Sequence, residues 1–195
     1  MKKIAASLIL LLLCPLMLFS QGETSNWYFG KNAGIRFNND GSVAAVNDGE
    51  LDTFEGCATI SDNFGNLLFY TDGISVYDRT HNVMPNGKGL HGDPSSTQSA
   101  LIVPQPESST IFYIFTVDTS LDINDADNGF NYSVVDISLN GGLGAVTSKN
   151  IKLINNTSEK LTAVIKDCFD KSIWVLTLAP EDGRSQIIDT FYAFE

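Results

Sequence analysis

Two histidines in 195 residues leave little material for a nitrogen-ligand site. His81 and His91 both fall in a loop-rich stretch, and no further nitrogen or sulfur ligands lie near them at the spacing tetrahedral zinc needs. Both read as surface-loop residues. Cysteine is almost as scarce. Of the three, Cys14 lies in the leading apolar run, which leaves Cys57 and Cys168. Each sits in or beside an apolar run, where a free thiol packs as a small hydrophobe. Two free thiols are therefore expected, with one disulfide as the alternative open to an exported pair. Ser95, Ser96 and Ser99 lack the glycine frame of a nucleophile elbow. Basic residues are few as well: 12 Lys and Arg against 23 Asp and Glu give a formal charge of −11. Such a surface repels phosphate backbones and argues against a nucleic-acid partner. Helical periodicity is missing from every stretch of a dozen residues.

What is present is apolar and aromatic: 43% hydrophobic residues and 10% aromatics, enough for one domain with a proper core. Residues 1–20 read as a secretory signal peptide. Met1-Lys2-Lys3 is the positive n-region, Ile4 to Phe19 is nearly unbroken apolar sequence, and Ser20 is a small residue at the cleavage edge. Leu11-Leu12-Leu13 before Cys14 do not make a lipobox. No later run spans a bilayer, so no transmembrane segment is expected after cleavage. Loss of Lys2 and Lys3 with the leader makes the mature chain, residues 21–195, more acidic still.

The remainder reads as strands in cycles. Cys57 to Tyr77 holds three runs rich in β-branched and aromatic residues, separated by Asp62-Asn63-Phe64-Gly65 and Asp72-Gly73. That is the pattern of an antiparallel meander. A second cycle runs through Ser99–Val103, Ile111–Val117 and Asn131–Asp136, with residues 145–154 as its fourth strand. A third runs through Leu161–Ile165 and Ile173–Leu178 to Ile187-Ile188 and the terminal Phe191–Phe194. Before them lie a short aromatic strand at Asn26–Gly30, a second at Ala33–Asn38 and a returning strand at Ser42–Val46. Leu51 and Phe54 are expected to tuck the following linker onto the core. The stretch 79–99, with several glycines and prolines, reads mostly as loop with one short strand near Val83.

Ala58, Ala100 and Ala163 align the opening strands of the cycles, and the longer second interval comes from a polar insertion at Thr119–Gly129. Four strands per roughly 40–50 residues is the period of a propeller blade. The fold class read from this is all-β, a partial β-propeller of about three four-stranded blade-like repeats, truncated at the C-terminus. A β-sandwich is the alternative. The third cycle is expected to leave an open edge.

The chain also resembles a recurring N-terminal region of large surface proteins from gliding, type IX-secreting bacteria. The likeness rests on Asn26-Trp27-Tyr28-Phe29-Gly30, on Thr53–Ser61, on Gly65–Gly73 and on Met84-Pro85-Asn86-Gly87. It continues in Pro94–Ala100, Asn131–Asp136 and Glu159–Ala163. The resemblance implies a propeller-type β domain, usually followed by PKD-like repeats and a gliding-motility-associated C-terminal sorting domain. It further implies secretion to the extracellular surface of a Gram-negative bacterium. It supplies no catalytic motif.

Candidate sites are few. Asp118, Asp122, Asn124, Asp125 and Asp127 make an oxygen-rich loop of the kind that suits Ca²⁺. Ala126 falls where the EF-hand pattern wants its third ligand, so a solvated acidic loop is the first reading and a calcium site the second. No other cofactor is indicated. Ser61–Gly65 followed by Phe69 departs from the Asp-box of sialidase propellers in two positions and reads as a hairpin turn. Trp27, Tyr28, Tyr70, Tyr77, Tyr113, Trp174 and Tyr192 are read mainly as core, with carbohydrate contact as the alternative. The functional expectation is an exported, adhesin-like binding module without catalytic activity, taking carbohydrate or protein through loops at the blade ends. The rivals are a secreted propeller glycan hydrolase, whose mark would be two carboxylates converging in a pocket, and a structural spacer.

Overall fold

The computed structural model describes residues 22–118, 128–167, 169, 171–182, 185 and 187–195. Its strands form four antiparallel sheets, none of them closed on itself. A single 3-10 turn, Gly22–Thr24, leads into the first sheet, which consists of β1 (Asn26–Phe29), β2 (Ala33–Phe37) and β3 (Val43–Val46). The second holds β4 (Ala58–Ser61), β5 (Leu67–Thr71), β6 (Ser75–Asp78) and β7 (Val83–Lys88). The third holds β8 (Ala100–Pro104), β9 (Ile111–Val117), β10 (Phe130–Asp136) and β11 (Ala145–Ile154). The fourth is β12 (Leu161–Ile165), β13 (Ile173–Ala179) and β14 (Thr190–Phe194). Every sheet is a plain meander, its strands paired in chain order; short turns bearing an Asp and a Gly, such as those at 62–65 and 72–74, return the chain to the neighbouring position.

Period-two patterning stacks these sheets one upon the next. Along β9, Phe112 and Ile114 point into the layer shared with the second sheet, where Ile60, Phe69, Val76 and Met84 meet them. Phe115 and Val117 point the other way, onto Leu161, Val175 and Ala179 of the fourth sheet. A third layer, Tyr28, Leu51, Leu67 and Tyr70, joins the first sheet to the second. The third sheet is thus apolar on both faces and covered on both. Each large side chain fully buried this way contributes about 1.5–3 kcal/mol.

The opening strands lie side by side in chain order: β4 meets β8, and β8 meets β12. The linkers entering them are hydrogen-bonded in the same order. Gly56 N donates to Ser96 O at 2.9 Å. Gln98 and Leu161 exchange two bonds, Gln98 Nε2 to Leu161 O at 3.1 Å and Leu161 N to Gln98 Oε1 at 3.2 Å. One junction is too tight for any side chain: a Cβ on Gly73, whose φ is +87°, would lie 2.1 Å from Ser99 Oγ. That hydroxyl is buried and donates to Asp72 O at 2.7 Å.

The first sheet is not a fourth copy of the repeat. β1 lies along β4 in the opposite sense, with Tyr28 N bonded to Thr59 Oγ1 and Asn26 Nδ2 to Ser61 Oγ, each at 3.0 Å.

Four local expectations change. Residues 83–88 form a full six-residue strand rather than a short one in a loop. Pro85 is tolerated there because β7 is the edge of its sheet, where a missing N–H breaks no ladder. Ala58 and Ala100 do not occupy equivalent faces; they meet in the same layer from opposite sides, whereas Ala163 packs in the next layer. Phe54 is 89% exposed while Leu51 is buried, so only one of the pair anchors the linker. Ile187-Ile188 lies outside the last strand, which begins at Thr190. Among the described residues no helix is long and apolar enough to cross a membrane.

Candidate functional site

Of the proposed calcium ligands, only Asp118 belongs to the described residues; Asp122, Asn124, Asp125 and Asp127 lie outside them. Asp118 is buried at the end of β9, and its Oδ2 accepts bonds from Asn128 N and Asn128 Nδ2, both 2.9 Å long. It closes the base of the polar insertion. Cys168 also lies outside the described residues. Cys57 is a free, half-buried thiol whose Sγ donates to Tyr28 O at 3.3 Å. Burial, reinforced by the charge of Asp72, pushes that thiol up, away from the thiolate form.

The acidic composition has a local use. Asp40, Asp62, Asp72, Asp78, Asp93, Asp136 and Asp167 each accept, through Oδ1, the backbone N–H two residues ahead. These are Asx turns, in which the side chain copies a backbone turn. The Asp62 turn is the stretch compared with an Asp-box: Asp62 also takes bonds from Asn66 N and Nδ2 at 2.9 Å. Burial raises its carboxyl, but the bonds from Asn66, Phe64 and Gly65 outweigh this and hold it below the usual range. Among the described residues no three His, Cys, Asp or Glu gather to hold a metal.

Between the first two sheets stands a stack of tyrosines. Tyr28 and Tyr70 lie 4.7 Å apart and nearly parallel, and Tyr77 follows 5.2 Å from Tyr70. Tyr28 fits because position 49 is glycine; a Cβ there would approach its Cδ1 to 2.4 Å. Tyr28 OH donates to Asp48 Oδ1 at 2.9 Å. Tyr70 OH accepts from Glu50 N at 3.1 Å, which leaves its proton for His81 Nδ1, also 3.1 Å away. The proton of His81 then resides on Nε2, facing Asp48 Oδ2 at 3.6 Å. His81 reaches this position from a backbone with φ 65° in the β6–β7 turn.

The chemistry of this cluster follows from its burial. Desolvation, helped by the bond to Asp48, pushes Tyr28 up to about 12. Desolvation raises Tyr70 and Tyr77 too. Neutral phenols donate hydrogen bonds and cannot serve as phenolate nucleophiles. The cluster locks two sheets together.

A concave site lies instead between the third and fourth sheets. It is a cleft of about 450 Å³, near the ends where β8 turns into β9 and β12 into β13. Tyr113, Phe115, Tyr132 and Phe194 supply aromatic walls, Pro104 and Pro106 one lip, and Leu153, Ile173 and Val175 the apolar floor. Tyr113 and Tyr132 meet edge to face at 5.9 Å, and Phe130, behind them, contacts both Phe115 and Phe194. The polar groups among the described lining residues are Ser172, the hydroxyls of Tyr113 and Tyr132, the former reaching Gln105 Oε1 at 3.4 Å, and Glu195. Among the described lining residues Glu195 brings the one carboxylate side chain, and it is paired with Lys166. Tyr113 was singled out from sequence, but Pro104, Pro106, Tyr132 and Phe194 were not. Their strand spacing looked like ordinary core, and only the gap between two particular sheets distinguishes them.

No protein-family model matches this chain, and no curated protein or solved structure matches it either.

Proposed function

We propose that the chain is an exported, propeller-like binding module of the gliding-associated surface-protein kind, without catalytic activity. Its ligand site is the cleft between the third and fourth sheets. The observation that carries the reading is the make-up of this cleft among the described residues: four aromatic walls, an apolar floor, and one carboxylate side chain already paired with a lysine. Aromatic planes with few polar groups suit an uncharged, ring-bearing ligand such as a neutral carbohydrate. A glycan hydrolase needs two converging carboxylates, and many aspartates here hold turns instead. The propeller reading is supported by meanders that stack face to face with β4, β8 and β12 side by side in chain order. A sandwich would place two sheets about one core.

The test is titration of the exported chain with neutral oligosaccharides, followed by intrinsic fluorescence and by assay of new reducing ends. Saturable binding that weakens in Tyr113→Ala and Tyr132→Ala, with no reducing ends released, is the expected result. Release of reducing ends that disappears in Glu195→Gln would establish the hydrolase instead.

A further inference from the structure

We infer that a hard divalent cation, Ca²⁺ by its ligand chemistry, binds at one end of the layer between the second and third sheets, held by Thr116, Asn131 and Asp118. The register of the third sheet brings these residues together. Asn131 on β10 pairs directly with Thr116 on β9, and Asp118 follows Thr116 by two residues, which puts it on the same side of the chain. That side is the one Phe112 and Ile114 present to the second sheet. Thr116 and Asn131 are fully buried, and Asp118 nearly so.

Two buried oxygens here, Thr116 Oγ1 and Asn131 Oδ1, have no hydrogen-bond partner. The Asn131 amide cannot be turned round to find one. Its Nδ2 donates to Asn128 O at 2.8 Å and to Gly129 O at 3.3 Å, and an oxygen in that place would face two carbonyls. The neighbouring sheets show what a hydroxyl at this position does when the protein supplies its partner. Thr71 pairs with Ala58 and Thr177 with Leu161, just as Thr116 pairs with Ala100. All three threonines are buried, but Thr71 Oγ1 donates to Ser75 O at 2.7 Å and Thr177 Oγ1 to Lys160 O at 2.9 Å. Thr116 alone of the three is left bare, and bare buried oxygens are costly. With the Asp118 carboxylate two residues on, they form an all-oxygen set carrying one negative charge. Such a set suits Ca²⁺, which accepts neutral oxygens in flexible geometry, better than Mg²⁺, which gives up its waters reluctantly. Softer metals want nitrogen or sulfur. Lys152, opposite Asn131 on β11, is exposed, and its ammonium bonds to neither oxygen. The site lies in a different layer from the aromatic cleft and does not rest on the carbohydrate reading.

The experiment is thermal melting of the exported chain, stripped with EDTA and titrated with CaCl2 to about 10 mM, well above the dissociation constants of about 0.1–1 mM usual for extracellular calcium modules. NaCl of equal ionic strength is the control, because any salt relieves repulsion in an acidic chain. The expected result is a saturable rise of about 5 °C that NaCl does not reproduce. Thr116→Val keeps the shape and removes the hydroxyl, while Asp118→Asn removes the charge and keeps an oxygen for Asn128. Each is expected to weaken Ca²⁺ about tenfold or more. In EDTA, Thr116→Val should melt no lower than the wild type, since the hydroxyl it loses bonds to nothing there. A melting temperature that rises no further in CaCl2 than in NaCl overturns the inference and leaves a buried water as the partner of the two oxygens. A calcium-dependent rise that either variant keeps in full also overturns it, because the ion is then held by other acidic residues. So does a Thr116→Val chain that melts well below the wild type in EDTA.

Discussion

The layer between the first and second sheets and the layer between the third and fourth are both aromatic, yet they are built on opposite plans. In the former, Tyr28, Tyr70 and Tyr77 stack face on face, and the Tyr28 and Tyr70 hydroxyls are tied down by Asp48, Glu50 N and His81. In the latter, Phe115, Phe130 and Phe194 touch with little polar restraint, and a cleft of about 450 Å³ remains beside Tyr113 and Tyr132. A buried phenol must have its hydroxyl satisfied, and satisfying it fixes the ring. Phenylalanine imposes no such condition, so sheets joined mainly through it are free to gape. The first layer is a lock, and the second has room for a ligand.

The sharpest way to break this comparison is to remove the ring at the centre of the lock. Tyr70→Ala is expected to cost about 3–5 kcal/mol in chemical denaturation, since it empties a fully buried site between two other rings. A loss under about 1 kcal/mol would mean the stack is not structural. Tyr70→Phe isolates the polar part. The ring stays, but Glu50 N and His81 Nδ1 lose their partner, for an expected loss of about 1–2 kcal/mol.

Alkaline pH attacks the same layer through Tyr28. Its folded pKa, about 12, lies above the unfolded value. Its contribution to stability is therefore complete below pH about 10 and is lost as pH rises through about 12. Melting temperature should fall across that window, and a fall of the same size in Tyr28→Phe would contradict it. The smallest stability effect is expected on the other layer. Tyr113→Ala, in the wall of an existing cleft, should cost no more than about 1 kcal/mol while weakening oligosaccharide binding about tenfold. Equal losses from Tyr113→Ala and Tyr70→Ala would erase the distinction between the layers.

Much of this was legible in the chain. The runs Leu67–Thr71, Ile111–Val117 and Ile173–Leu178 are short, rich in β-branched and aromatic residues and bounded by turn residues, as strands are, and the turns within each cycle make meanders. The lock was less legible. Asp48, Glu50 and His81 lie in polar stretches with no motif, and they converge only because β1 is laid antiparallel against β4. The cleft was less legible again, since nothing at Tyr132 or Phe194 differs in sequence from a core aromatic. The alignment of Ala58 with Ala100 shows the limit of pattern. A period of two tells which residues share a face, but not which neighbouring sheet that face meets.

The sequence by itself determined the strands, their turns and the all-β class, because alternation, β-branched side chains and Asx turns act over a few residues. Only the tertiary structure decided that the sheets stack in chain order, that the first runs its leading strand in reverse, and that one layer locks while another gapes. Those outcomes depend on the packing of side chains far apart in the chain, where small differences of volume and one hydroxyl more or less select the arrangement.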